Sequence, residues 1–141
     1  MKQPVEGIVR TRVRYAETDQ MGVVYHANYL VWCEIGRTEL MREVGYAYAD
    51  VERSGLRLAV SDVEIRYLRG ARYDDLIRVN TRVTGARSRT VTFAYEIWRD
   101  EPGGELLATA STRLIALAAD GSPRRLPADL LARFLEITHA A

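Results

Sequence analysis

Most of the sequence alternates between apolar and polar side chains, which is the pattern of a strand with one buried face. The alternation first appears over 8–14, where basic and apolar residues take turns. It returns in four later segments: 62–67, 77–83, 91–97 and 106–118. Turn-forming residues such as Gly85 and Pro102 separate the later segments. The pattern therefore predicts five strands, arranged in antiparallel style.

Residues 28–44 follow a different pattern, with apolar side chains on nearly every side and no proline. This predicts a helix about 25 Å long, and one so apolar should be largely buried. Asn28 is a plausible N-cap, and Gly45 stands where a C′ residue belongs. Gly36 lies inside the helix, where glycine is unfavourable, so we expect another backbone to approach closely there.

A short helix is predicted from Pro127 to about Glu136. No repeat or linker interrupts the chain, so 1–141 is predicted to be a single domain. The economical packing is an α+β fold in which a five-stranded antiparallel sheet wraps around the long helix. Such a sheet has edge strands that need cover, and two subunits pairing edge to edge would supply it.

Composition narrows the functional classes. The chain has 141 residues, 48% of them apolar, and a formal net charge of +1, so no overall attraction to nucleic acid or to an anionic membrane is expected. Cys33 is the only cysteine, which fits a reducing compartment. The beginning of the sequence has no apolar leader, and no apolar run is long enough for a membrane span. These features predict a cytoplasmic protein.

The segment between the first strand and the long helix carries the candidate chemistry. A carboxylate such as Asp19, placed before a helix N-terminus, lies near free N–H groups that can polarise a carbonyl. Gly22 permits the tight turn that returns the chain toward the helix. Asp19 could then be a nucleophile or a general base. The alternative is an ordinary turn in which Asp19 caps its own backbone.

The run TDQMGVVYHANYLVWCEIGRTELMREVG strongly resembles the 4-hydroxybenzoyl-CoA thioesterase family of hotdog proteins. It is most similar to the branch that includes the Tol-Pal-associated acyl-CoA thioesterase. The likeness continues through VEIRYLRGARYDDLIRV and ALAADGSPRRLP, so that it covers roughly residues 8–128. The resemblance implies the hotdog fold. Glu17 stands where many family members carry aspartate.

The resemblance also implies roles for individual residues of this run. Asp19 falls on the family's catalytic aspartate. The position of His26 would give a backbone N–H to the thioester carbonyl. Its ring could act as a general base or could position the loop through a hydrogen bond, and the second role is favoured because Asp19 can already serve as the base. Tyr25, Asn28 and Tyr29 match positions that shape the site.

Two further segments are candidates for binding the substrate. Coenzyme A carries phosphates, which guanidinium groups bind well, and the turn Arg87-Ser88-Arg89 offers two of them. The alternative for this turn is a solvated loop with ordinary charge. Val60 and Ser61 enter a strand that faces the helix, where they could line the acyl or pantetheine channel.

The predicted activity is hydrolysis of an acyl-CoA thioester to a free acid and CoA. No cofactor is expected, because coenzyme A is part of the substrate, and the sequence suggests no metal site. The acyl group stays open, and so does acyl carrier protein as the carrier. The resemblance implies a homodimer or a homotetramer built as a dimer of dimers, with two subunits sharing each site.

Two other functions remain as alternatives. A hotdog hydratase or dehydratase would need a histidine paired with an acidic residue, for which His26 and Asp19 form the available pair. A non-catalytic module that binds an acyl thioester would not need Asp19. Cys33 as a nucleophile is less favoured, since it lies within the apolar helix and is expected to be a core residue.

Overall fold

The computed structural model describes residues 2–101 and 103–139. The described chain forms five strands, three α-helices and a short 3-10 turn, and the turn lies at Tyr15–Glu17. The strands are β1 (Glu6–Arg12), β2 (Arg57–Tyr67), β3 (Leu76–Ala86), β4 (Thr90–Glu101) and β5 (Glu105–Leu117). The helices are α1 (Asn28–Glu43), α2 (Tyr48–Arg53) and α3 (Ala128–Ile137).

The five described strands form one antiparallel sheet in the order β1-β3-β4-β5-β2. Tight hairpins join β3 to β4 and β4 to β5, whereas β1 and β2 are brought to opposite edges. The α+β class, with one sheet and one long helix against it, is confirmed. Both edges of the sheet remain unpaired within the described chain.

Helix α1 lies across the sheet with its glycine against β3. A Cβ at Gly36 would come within 2.4 Å of the Thr81 hydroxyl oxygen and 2.9 Å of a Val79 methyl carbon. One turn later, Leu40 packs against Gly7 of β1. The close backbone approach predicted at Gly36 is therefore confirmed, and small residues on both elements set the distance between helix and sheet.

The two ends of α1 differ in how well they were predicted. Gly45 follows the last turn with a φ of +99°, which is the left-handed conformation expected of a C′ residue. The prediction of Asn28 as N-cap is wrong, because Ala27 occupies that position and Asn28 is the first helical residue. The Asn28 side-chain amide instead donates to the carbonyl of Glu17, 2.9 Å away.

The expectation that α1 is largely buried is wrong for the single chain. Val31 and Ile35 are 45% and 36% exposed. The helix packs on β1, β3 and β4, whereas the same face of the edge strand β2 is partly open, with Val60 and Val63 44% and 47% exposed. Apolar side chains therefore remain open to solvent along one side of the helix.

Helix α2 was not predicted from the sequence. It has only six residues, too few to show a helical period, and one buried side chain, Val51, attaches it to the core. The C-terminal helix agrees with prediction to within one residue, and its Phe134 ring meets the Phe93 ring of β4 edge-on at 6.1 Å. Strand β1 ends at Arg12, two residues before the predicted end.

Candidate active site

The loop from Thr18 to Ala27 holds Asp19 in a tight turn. The backbone N–H of Asp19 donates to the Val23 carbonyl, and the Gly22 N–H donates back to the Asp19 carbonyl. Gly22 has a φ of +79°, which a residue with a side chain rarely adopts. One carboxylate oxygen of Asp19 accepts the Met21 N–H at 2.8 Å, so the side chain has a fixed direction. Its other oxygen has no hydrogen-bond partner within the described chain.

Glu17 anchors this loop to the helix, which the sequence reasoning missed. Its carboxylate, only 6% exposed, accepts the Arg14 N–H at 2.7 Å and the Trp32 indole N–H at 3.3 Å. Its carbonyl accepts the Tyr25 N–H and the Asn28 side-chain amide. The only signal in the sequence was the position of Glu17 two residues before Asp19.

The start of α1 leaves two backbone donors available. Within the part of the chain that the structure describes, the N–H groups of His26 and Ala27 have no hydrogen-bond acceptor, and both residues are exposed. They lie immediately before the first turn of α1, where the helix dipole favours negative charge. The His26 carbonyl accepts the Tyr67 hydroxyl at 2.9 Å, which ties this end of α1 to β2. The His26 ring packs against the Tyr25 ring with centroids 4.4 Å apart.

Tyr29 supports the site from beneath. Its ring is 2% exposed, and its hydroxyl accepts the Ala71 N–H at 3.0 Å. Burial raises the pKa of Tyr29, so the phenol stays neutral. Tyr25, in contrast, is 49% exposed beside His26, where a ligand could contact it.

Val60 and Ser61 lie on the exposed edge strand β2. The pairing of β2 with β5 is interrupted between Val60 and Asp62, so that Ser61 forms a bulge. The Ser61 hydroxyl donates to the Asp62 carboxylate at 2.7 Å. Val60 is 44% exposed opposite the buried Leu114, which shows that it faces the helix side of the sheet.

The turn Arg87-Ser88-Arg89 does not lie near Asp19 in one chain. It follows the last residue of β3, whereas the Asp19 loop adjoins the first residue, since Arg12 pairs with Leu76. The eleven residues of β3 span roughly 33 Å at the usual rise of a strand. Both arginines are exposed, and neither forms an ion pair with any residue that the structure describes.

Cys33 is a core residue, as expected. Its side chain has no exposed surface, and burial raises the pKa of the thiol to about 12. A thiol that remains protonated at neutral pH is a poor nucleophile. Among the described residues, no group of three His, Cys, Asp or Glu side chains is placed to hold a metal ion.

Comparison with known protein families places the chain in a class of enzymes. It belongs to the Thioesterase-like superfamily, which it matches over residues 13–134. The predicted resemblance to hotdog thioesterases is thereby confirmed.

Individual relatives agree with that assignment. A putative acyl-CoA thioesterase of Bacillus subtilis, YneP, is 42% identical over 74% of this chain and 75% of its own. The acyl-CoA thioester hydrolase YbgC of Escherichia coli is 31% identical over 87% of this chain and 91% of its own. A DHNA-CoA thioesterase structure from Staphylococcus aureus superposes with a TM-score of 0.82 and 37% identity, covering 86% of this chain and 80% of that one.

No helix in the described ranges is both long and apolar enough to cross a membrane.

Proposed function

We propose that this chain hydrolyses acyl-CoA thioesters and that Asp19 is the carboxylate that drives the reaction. The activity is that of its relatives, since the proteins it matches over most of their length are named acyl-CoA thioesterases or thioester hydrolases. One observation supports the role of Asp19. The loop that holds its carboxylate leads directly into the two unpaired N–H groups at the start of α1.

The chemistry follows from these two features. A thioester carbonyl oxygen that accepts the N–H groups of His26 and Ala27 becomes a better electrophile, and the oxyanion formed on attack is stabilised there. Asp19 either attacks the carbonyl carbon, giving a mixed anhydride that water then opens, or removes a proton from water as it attacks. In both routes the C–S bond breaks, CoA leaves as a thiolate that takes up a proton, and the free acid is released.

We further propose that two copies of the chain share each site by pairing their β2 strands. Antiparallel pairing about the middle of β2 would put the Arg57 end of one strand beside the Tyr67 end of the other. Tyr67 adjoins His26, while Arg57 lies at the same end of the sheet as the Arg87–Arg89 turn, because Leu58 and Arg89 both adjoin Ala116.

Such a dimer would bring together the two predicted parts of the site, the Asp19 loop and the Arg87–Arg89 turn, which lie far apart in one chain. The Arg87–Arg89 turn of one copy would lie at the same end of the assembly as the Asp19 loop of the other. Its two guanidinium groups could then bind the phosphates of a CoA whose thioester lies at His26. Such phosphate binding favours CoA over acyl carrier protein as the carrier of the acyl group. The compartment that we expect for the protein is a reducing cytoplasm.

The experiment compares two aspartates in similar turns. The Asp120 carboxylate accepts the N–H of Ser122, and the Asp19 carboxylate accepts the N–H of Met21, which is also two residues further along. Asp120, however, lies in an exposed turn after β5. Asp19→Asn should lower kcat at least about a hundredfold, the scale of a lost general base, while leaving the melting temperature nearly unchanged. Asp120→Asn should leave kcat unchanged. Thiol release from several acyl-CoAs, measured with a chromogenic disulfide, reports both.

If both variants hydrolyse acyl-CoA like the unmodified chain, Asp19 is only a turn residue and its proposed role is wrong. A hydratase is less well supported by the geometry, because no hydrogen bond joins the His26 ring to Asp19 within the described chain. Free thiol formed in step with free acid would distinguish hydrolysis from hydration of an enoyl thioester.

A further inference from the structure

A groove runs along α1 on the side that faces β5 and β2. Toward the Leu58 end of β2 it opens into a cavity of about 240 Å³, too small for coenzyme A but suited to part of an acyl group. Its walls come from α1, α2 and the two strands. The lining residues are Glu34, Arg37, Thr38, Met41, Tyr48, Leu58 and Leu114.

The floor of the groove is apolar between this cavity and the start of α1. Val60 and Val63 of β2 are 44% and 47% exposed on the helix side of the sheet, and Ile65 continues the row. Val31 and Ile35 are exposed along the helix beside them. An occupant of this stretch must therefore be apolar in its middle part.

Arg37 is the cationic residue of the cavity. Its guanidinium lies near the Tyr95 hydroxyl, which contacts the Thr112 hydroxyl at 2.6 Å. Burial raises the pKa of Tyr95, so this hydroxyl is neutral and does not balance the charge of Arg37. Among the described residues, no carboxylate lies within ion-pair distance of Arg37, although Glu34 lines the same cavity.

The position of Arg37 relative to the start of α1 gives the distance that an acyl chain would have to span. Thr112 pairs with Val63, which is four residues before Tyr67, and Tyr67 is bonded to His26. Four residues of strand span roughly 13 Å, the length of about ten bonds of an extended chain. We expect the guanidinium to reach back toward the helix N-terminus, because the Cα–Cβ bonds of an α-helix tilt in that direction. An acyl chain held at His26 would meet it after about six to ten bonds.

We propose that Arg37 is a specificity-determining residue that binds an oxygen-bearing group, a carboxylate or a hydroxyl, at the far end of the acyl chain. This inference rests on the proposed thioesterase function of the same chain. The guanidinium retains donors that Tyr95 does not use, and an oxygen acceptor would satisfy them. The apolar floor accounts for the part of the acyl group between the thioester and that oxygen.

The experiment measures kcat/KM for three series of acyl-CoAs of six, eight and ten carbons. One series ends in a methyl group, one in a hydroxyl and one in a carboxylate. The unmodified chain should prefer at least one oxygen-bearing series by about tenfold or more at the best length, as expected for a charged hydrogen bond. Arg37→Met should abolish this preference while keeping kcat/KM for the methyl series within about threefold.

Arg42→Met is the matched control, since Arg42 lies on the same helix but is exposed and paired with Glu39. It should keep the preference. Arg37→Lys should restore part of the preference for carboxylates, because the charge remains while the planar fork is lost. If Arg37→Met does not fold, as judged by circular dichroism, Arg37→Gln replaces it, because glutamine is polar but carries no positive charge; it should lose the preference for the carboxylate series.

Equal rates for all three series in the unmodified chain, with good turnover, would overturn this inference and leave the thioesterase proposal intact. Equal losses in every series on Arg37→Met would also overturn it, since that outcome indicates a structural role. If no acyl-CoA is hydrolysed at all, the proposed function fails and this inference with it.

Discussion

Two carboxylates in the same loop, Glu17 and Asp19, differ in what surrounds them. Glu17 is enclosed and both its oxygens accept N–H donors, one from the loop and one from the Trp32 indole. Asp19 is partly exposed and keeps one oxygen without a partner in the described chain. The enclosed carboxylate therefore holds the loop in place, and the open one is available to a substrate.

Glu17→Gln tests the positioning role of the buried carboxylate. The amide keeps the size of the side chain but places an NH₂ group against either the Arg14 N–H or the Trp32 indole N–H. Leaving one of these buried donors unpaired should cost about 1–3 kcal/mol of stability. Because the loop also carries Asp19, we expect kcat to fall about tenfold or more with little change in KM. Thermal melting and steady-state kinetics measure the two effects.

The controls for this prediction separate the two hydrogen bonds. Trp32→Phe removes the indole donor together with part of a buried ring, so it should lower the melting temperature. It leaves the Arg14 hydrogen bond in place and should cost less in kcat than Glu17→Gln. Glu17→Asp keeps the charge, and should recover part of the activity. A normal kcat in folded Glu17→Gln would show that Asp19 does not depend on this anchor.

Among the elements, α1 shows how a missing side chain sets the distance between a helix and a sheet. Gly36 has no side chain, so α1 can lie directly over Thr81 and Val79 of β3. The Thr81 hydroxyl is buried there with no hydrogen-bond partner in the described structure. The sequence predicted the close approach from a glycine in an otherwise good helix, but not the strand that it meets.

Gly36→Ala should destabilise the fold although alanine favours a helix. The added methyl would lie 2.4 Å from the Thr81 oxygen, so the helix must move away from the sheet. Overpacking of this kind costs about 1–3 kcal/mol, which outweighs the roughly 1 kcal/mol that alanine gains in helix propensity. Chemical denaturation measures the difference in the free energy of unfolding.

Gly85→Ala is the control for Gly36→Ala, since a Cβ at Gly85 would meet no atom within 4 Å. Combining Gly36→Ala with Thr81→Ala should recover part of the loss, because the contacting oxygen is removed. If Gly36→Ala alone is neutral or stabilising, the helix is not held at this distance by Gly36.

At the scale of the whole molecule, the two edge strands of the sheet are similarly exposed, but within the described chain only one of them borders an exposed apolar surface. Val63 on β2 is 47% exposed and Ile8 on β1 is 48% exposed. Edge β2 also borders the partly open face beside α1, where further apolar side chains are open to solvent. We therefore expect β2, rather than β1, to pair with a second copy.

Val63→Lys should convert the assembly to monomers at micromolar concentration. A charge on an edge strand opposes pairing, and two copies would bring two such charges near the same axis. Because the site is proposed to need both copies, thioesterase activity should also fall, but Val63 lines the proposed acyl groove as well, so the mass and not the activity identifies the interface. Light scattering after gel filtration gives the mass, and Ile8→Lys should keep the mass of the unmodified chain. A dimeric Val63→Lys would place the interface elsewhere.

The sequence by itself determined the elements and the kind of protein. Periodicity predicted the strands, the long helix and the C-terminal helix, and the run around Asp19 identified the thioesterase family, because both are local patterns of adjacent residues. Helix α2 escaped prediction because six residues are too few to show a period.

Only the tertiary structure decided which parts of the chain meet. It buried Glu17 beneath the Asp19 loop, left one side of α1 exposed and carried the Arg87–Arg89 turn to the far end of the sheet. The physical reason is that alternation shows which face of a strand is buried, whereas strand order and register decide which ends come together. Asp19 could therefore be proposed as a candidate from its neighbours in sequence, whereas its surroundings could not be predicted.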